Sequence, residues 1–175
     1  MFKIFYPYEY VKSVFAINYN KLYSKGYKGL IFDIDNTLVH HGDDSTKEVD
    51  ELFRYIQQIG FKTIILSNNS EERVKRFLKN INSLYIYDAK KPAVSNYLKT
   101  LEKLGLRKEE MIVIGDQIFT DIWGANRSGI TSILVEFIRK ENETKIGKKR
   151  QIEKIILWFY KKNKAFQNRI GNIVK

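Results

Sequence analysis

The chain has 175 residues, 43% of them hydrophobic and none of them cysteine, so it can bury a core without staples, and disulfides, thiolate metal sites and cysteine nucleophiles are excluded. Its formal net charge of +11 is unevenly spread: from Arg139 onward 12 basic residues stand against 3 acidic ones, while the preceding part carries 19 against 17. The lack of cysteine suits a reducing cytosol, and polar residues break the aromatic opening Met1 to Tyr8 before a signal-peptide core or a span of about 20 residues can form, so a cytoplasmic protein is expected.

Val11, Val14, Phe15 and Leu22 fall near helical spacing and, with Pro7 at a first turn, predict one or two amphipathic helices before the first strand. Tyr27 to Phe32 reads as a short buried strand. It runs into Asp33-Ile34-Asp35-Asn36-Thr37-Leu38-Val39, two carboxylates two positions apart where a turn at the strand's carboxyl end lets them converge on one ligand. There one aspartate can attack phosphorus to form an acyl phosphate, while the other protonates the leaving oxygen and later deprotonates water. An acid-rich strand-exit turn is the purely local alternative. A helix follows from about Thr46 through Leu52, Phe53 and Ile56 to a stop at Gly60, then a strand over Phe61 to Leu66. Ser67-Asn68-Asn69-Ser70 supplies a turn and cap for a helix over Glu71 to Lys79, acidic in its first turn and basic in its last. Leu84 to Tyr87 is a third strand, Pro92 opens a helix running to Gly105, and Met111 to Ile114 is a fourth strand. A helix over Asp121 to Ser128 and a fifth strand over Thr131 to Val135 complete the alternation.

This order predicts an α/β fold, three-layered and Rossmann-like, with a mainly parallel five-stranded sheet whose ligands bind beyond the carboxyl ends of the strands. The polar clusters all sit at such ends. Ser67 and Asn68 can offer a hydroxyl and an N–H to a phosphate oxygen, or simply cap the next helix. Lys91, next to Lys90 and before Pro92, can neutralise a phosphate or stay a surface lysine. Asp116, with Asp121 five residues on, can face Asp33 and complete an oxygen site for Mg²⁺, although Asp121 also suits a helix cap.

In order, these clusters resemble the four motifs of the haloacid dehalogenase superfamily of phosphohydrolases. The likeness covers about Tyr27 to Val135. The strings Asp33 to Leu38, Lys91-Pro92 and Gly115-Asp116-Gln117 through Thr120-Asp121-Ile122-Trp123-Gly124-Ala125-Asn126 resemble its IIIA-type, YqeG branch, which is similar to phosphatases of phosphatidylglycerophosphate. The resemblance implies Asp33 as nucleophile and Asp35 as acid and then base, with Ser67, Asn68 and Lys91 holding the phosphoryl group. It also implies Mg²⁺ on Asp33, Asp116 and the Asp35 carbonyl, with Asp121 orienting that shell. Superfamily members commonly insert a cap after the first motif or between the second and third. Leu38 to Ser45 and Ser67 to Lys91 are too short for one, so a large substrate or a neighbouring subunit is expected to shield the site. His40 and His41 lie at the rim of the first loop.

Towards the end, Ile152, Ile155, Ile156 and Phe159 recur at helical spacing among Lys148, Lys149, Arg150, Lys154, Lys161, Lys162 and Lys164. Such a helix can lie on an anionic membrane at the inner face, or pack on the sheet with a solvated charged side. Charged Arg139 to Lys149 reads as a connection to it. One domain over residues 1–175 is expected, with a catalytic core at about 27–135 and a basic helix and tail at about 148–175. The expected partner is a phosphorylated substrate, a lipid head group through the resemblance, with a soluble sugar or nucleotide phosphate, a macromolecule, or a non-catalytic binding role as rivals. No nucleic-acid module is legible, and the oligomeric state stays open.

Overall fold

In the computed structural model, which describes residues 2–139 and 147–175, six parallel strands form one sheet in the order β1-β6-β5-β2-β3-β4. The strands are β1 (Glu9–Val11), β2 (Gly29–Phe32), β3 (Lys62–Leu66), β4 (Leu84–Ile86), β5 (Met111–Gly115) and β6 (Thr131–Val135). Between and after them come α1 (Tyr19–Ser24), α2 (Lys47–Ile59), α3 (Glu71–Phe77), α4 (Val94–Leu104), α5 (Trp123–Arg127) and α6 (Lys148–Lys162).

Every residue of β2 and β5 is buried, as their continuous apolar runs require of parallel strands covered on both faces. Leu30, Phe32, Ile112 and Ile114 pack on one side with Val49, Phe53 and Ile56 of α2, while Ile31, Ile64 and Val113 pack on the other with Tyr97 of α4 and Ala125 of α5. The Phe32 and Phe53 rings lie 5.2 Å apart, and truncating Phe53 to alanine would cost about 3–5 kcal/mol. Helix α2 begins where the Thr46 hydroxyl accepts the Val49 N–H at 3.3 Å and stops at Gly60, whose φ of 113° lies in the left-handed region. The Tyr23 hydroxyl would stand 2.7 Å from a β-carbon there, so that ring would have to shift to admit any other residue.

The sheet has six strands where five were expected. Glu9 to Val11 is strand and not helix because it registers with Ile133 to Val135 and covers the outer edge of β6; the helical structure around it is the short α1 and two three-residue 3-10 turns, Lys3–Phe5 and Val14–Ala16. Pro92 lies in the turn before α4, and the helix expected from Asp121 begins as a π-helical turn, Ile118–Ile122, that continues into α5. Much of the stretch read as a charged connection, residues 140–146, lies outside the described residues.

Leu134 of β6 gathers Ile118 and Ile122 with Ile156 and Tyr160 of α6, so the last helix docks on the π-helical turn. Its buried face is Glu153, Ile156 and Tyr160, while the expected apolar residues Ile152 and Ile155 are exposed and Phe159, also partly exposed, stacks on the ring of Phe2 at 5.9 Å. After α6 the chain returns across the N-terminal segment: buried Glu9 accepts the N–H groups of Ile170 at 2.7 Å and Gly171 at 3.0 Å. Between β2 and β5 the strand order reverses, which opens a crevice beyond their carboxyl ends.

Candidate active site

Backbone pairing sets the first aspartate. The Asp33 N–H donates to the Ile114 carbonyl at 3.1 Å, extending the β2–β5 ladder by one residue and putting the carboxylate over the crevice. Lys91 Nζ, itself buried, donates to Asp33 Oδ1 at 2.6 Å and to Asp121 Oδ1 at 2.7 Å. The Asn68 side chain fixes that lysine by accepting its backbone N–H at 2.7 Å. From β5, Asp116 accepts the Thr37 hydroxyl at 3.0 Å, and the same hydroxyl lies 3.3 Å from Asp33 Oδ2. Asp121 accepts the Gln117 N–H at 3.0 Å, and its carboxylate fills the space where a β-carbon on Gly115 would stand.

Arg150 of α6 completes the cluster. One nitrogen donates to the Asp116 carbonyl at 2.6 Å, the other donates to the Asp116 carboxylate, and the guanidinium is held by Glu153 at 3.1 Å. Glu153 also accepts the N–H groups of Ile118 at 2.8 Å and Phe119 at 3.2 Å, tying α6 to the start of the π-helical turn.

Three carboxylates thus share two cations in a desolvated crevice. Burial pushes the Asp33 carboxyl up to about 6, with Asp121 and Asp35 adding to the effect and Lys91 opposing it. Asp116 rises to about 7, chiefly through burial and then through the charge of Asp33. Lys91 moves upward despite its burial because Asp121 and Asp33 face it. Ligand oxygens of Asp33, Asp116 and Asp121 lie within 4.8 Å of one another. A hard-oxygen set with excess negative charge fits a cation of the Mg²⁺ kind.

Asp35 stands in a different setting. Its carboxylate accepts the Gly42 N–H at 3.0 Å, Asn69 Nδ2 at 2.6 Å and Arg73 Nη2 at 2.9 Å, with His41 Nδ1 at 3.5 Å. Burial alone would raise its carboxyl, but those donors outweigh it and the net displacement is downward. The positive φ of Asn36, 63°, turns the loop immediately after the two acids.

The crevice therefore brings together Asp33, Lys91, Asp116 and Asp121, with Asp35 on its α3 side. Ser67 is fully buried and its oxygen accepts from Asn69, while the Asn68 side chain is spent on the Lys91 backbone. His41 is largely exposed beside Asp35, and His40 Nδ1 lies 3.9 Å from Asp43. Sequence reasoning missed Asn69, Arg73 and Glu153, gave Thr37 no role, and placed Arg150 among cations facing solvent or lipid. Thr37 had a signal, its place two residues beyond Asp35; Arg150 had none inside a basic run. Among the described residues there is no separate cap domain: Leu38 to Ser45 is loop, and α3 and β4 are the main elements between Ser67 and Lys91.

The model of the haloacid dehalogenase-like hydrolases matches residues 41–129, and the chain belongs to that family. Within it, the chain is a phosphatase. It is 38% identical to "Probable phosphatase YqeG" of Bacillus subtilis over 156 residues, which is 89% of this chain and 91% of the relative. It is 29% identical to the chloroplastic/mitochondrial phosphatidylglycerophosphate phosphatase 1 of Arabidopsis thaliana over 89% of this chain but only 47% of that protein. Among solved structures, a protein of Listeria monocytogenes serotype 4b shares the fold with a TM-score of 0.56 and 22% identity, covering 78% of this chain and 99% of that one.

Proposed function

We propose that this phosphatase is Mg²⁺-dependent, works through an aspartyl phosphate on Asp33, and converts phosphatidylglycerophosphate to phosphatidylglycerol. The observation that carries the mechanism is the buried cluster of Asp33, Lys91, Asp116 and Asp121 at the point where the strand order reverses. Asp33 attacks phosphorus as the ester bond breaks, and Asp35 delivers a proton to the departing oxygen. Water then attacks the acyl phosphate, Asp35 takes its proton, and Asp33 is released unchanged. The ionised Asp35 held by Arg73 is the form that second half uses; in the first half it carries a proton, which an incoming phosphate dianion favours. Lys91 balances charge on the phosphoryl oxygens, with the Ser67 hydroxyl and the Asn68 N–H assigned to bind them. When bound, Mg²⁺ supplies further positive charge there, held by Asp33, Asp116 and the Asp35 carbonyl and oriented by Asp121.

The lipid assignment is supported by the similarity to the Arabidopsis protein and by the outer face of α6. Ile152, Ile155, Trp158 and Phe159 are 51%, 58%, 52% and 41% exposed, in a helix rich in lysine. A basic helix with bulky apolar residues on its free side suits the head-group region of an anionic membrane, while no helix among the described residues is long and apolar enough to cross one. In this reading residues 1–175 act as one domain, with core 27–135 catalytic and tail 148–175 seated peripherally on the inner membrane face. The test is phosphate release from phosphatidylglycerophosphate in mixed micelles against soluble phosphoesters, beside sedimentation with vesicles of graded anionic content. Preference for a soluble ester, with equal binding to neutral and anionic vesicles, would remove the lipid assignment and leave the phosphatase.

A further inference from the structure

Beside the crevice, β6 and α6 enclose a cleft of about 490 Å³ that shares Asp116 and Arg150 with it. Arg150, Lys154, Leu157 and Lys161 follow one another at i, i+4, i+7 and i+11, so a single ridge of α6 lines this cleft with three cations. Arg139 adds a fourth from the segment after β6. Two of the acids in the lining are already engaged: Glu153 by Arg150 and two backbone N–H groups, and Glu136 by the Tyr10 hydroxyl. Among the described residues Arg139, Lys154 and Lys161 have no carboxylate partner; Lys161 lies over the Tyr10 ring at 5.2 Å and Arg139 over Phe137 at 5.7 Å. Leu134, Leu157 and Trp158 supply apolar wall, and Trp158 leads to the exposed Ile155 and Phe159.

We infer that this cleft is the leaving-group subsite, and that it takes an anionic amphiphile: an alcohol that carries its own phosphodiester and hydrocarbon chains. The inference rests on the lipid reading above and adds where the rest of the lipid sits. The phosphomonoester lies over Asp33, the diester meets Lys154, Lys161 and Arg139, and the chains leave past Trp158 towards the outer face of α6. Arg150 stands between the two subsites with its guanidinium on Asp116.

Two measurements on the full chain test this. Calorimetric titration with dihexanoylphosphatidylglycerol below its micelle concentration should show binding that the double variant Lys154→Gln/Lys161→Gln weakens about tenfold or more. Glycerophosphoglycerol, the same head group without chains, should bind wild type about tenfold more weakly than the lipid. In turnover, the ratio of kcat/KM on phosphatidylglycerophosphate to that on p-nitrophenyl phosphate should fall about tenfold in the double variant. Absent lipid binding, equal binding by variant and wild type, or an unmoved ratio would overturn the assignment. Equal affinity for glycerophosphoglycerol would overturn the amphiphile and leave a pocket for soluble diesters. Lipid binding that depends on Lys154 and Lys161 in a protein that does not hydrolyse phosphatidylglycerophosphate would keep the cleft and reject the proposed substrate.

Discussion

Asp33 and Asp35 leave the same strand two positions apart, yet one sits among carboxylates and the other among donors. With Asp33 itself, the acids Asp116 and Asp121 make three carboxylates against two cations, Lys91 and Arg150, and burial drives the Asp33 carboxyl up. Around Asp35, Gly42, Asn69 and Arg73 converge from the loop and α3 and hold its carboxyl down. Neighbouring elements, and not the residue type, separate the two. Two acids whose environments push their titrations apart can be given different tasks, one to ligate and attack, the other to exchange protons.

The largest expected effect comes from removing the first acid. Asp33→Asn should lower phosphate release on the order of 10⁴-fold or more while leaving the circular dichroism of the fold unchanged. An active Asp33→Asn variant would erase the distinction. Next, Lys91→Met strips the shared cation from Asp33 and Asp121. Turnover should drop about 10²–10³-fold, and metal-free stability at pH 8 should fall by about 3–5 kcal/mol in denaturant titration. Equal stability to wild type would mean that the buried pair does not hold the cluster.

Arg73→Met probes the other aspartate. Without its guanidinium the Asp35 carboxyl rises, so the basic limb of the kcat/KM profile, on which the proton used in the first half is lost, should move to higher pH. A limb that stays in place would assign that titration to another group.

The smallest effect is thermodynamic. Asp33 and Asp116 titrate at about 6 and about 7 in the folded chain, above the ordinary carboxylate value of 3.8. Between those values the folded state binds more protons than the unfolded one, so their contribution is fully present below pH 4 and is lost as pH rises through 6 to 7. Asp35, displaced downward, acts oppositely, losing its contribution only as pH falls below the ordinary carboxylate range. The metal-free protein should therefore lose a few degrees of Tm between pH 5 and pH 8, and the Tm gain from added Mg²⁺ should grow across the same window. A gain that shrinks with pH in calorimetry would show that the three acids do not act together on a cation.

Local sequence determined much of this protein. Strand-length apolar runs before Asp33, Ser67 and Asp116, the Thr46 and Ser70 caps and the stops at Gly60 and Gly105 are short-range signals, and they made the alternation of elements and the positions of the carboxyl-end residues legible. Tertiary structure decided what no local pattern carries. Glu9 to Val11 became a strand because β6 offered an unpaired edge, against its own near-helical spacing. Helix α6 buried Glu153, Ile156 and Tyr160 and left Ile152 and Ile155 outside, because an anchored Arg150–Glu153 pair fixed its rotation while an apolar stripe alone allowed several. Arg73 and Arg150 reach their aspartates over 38 and 34 positions of chain, and such pairings depend on which elements lie together and not on the residues beside them.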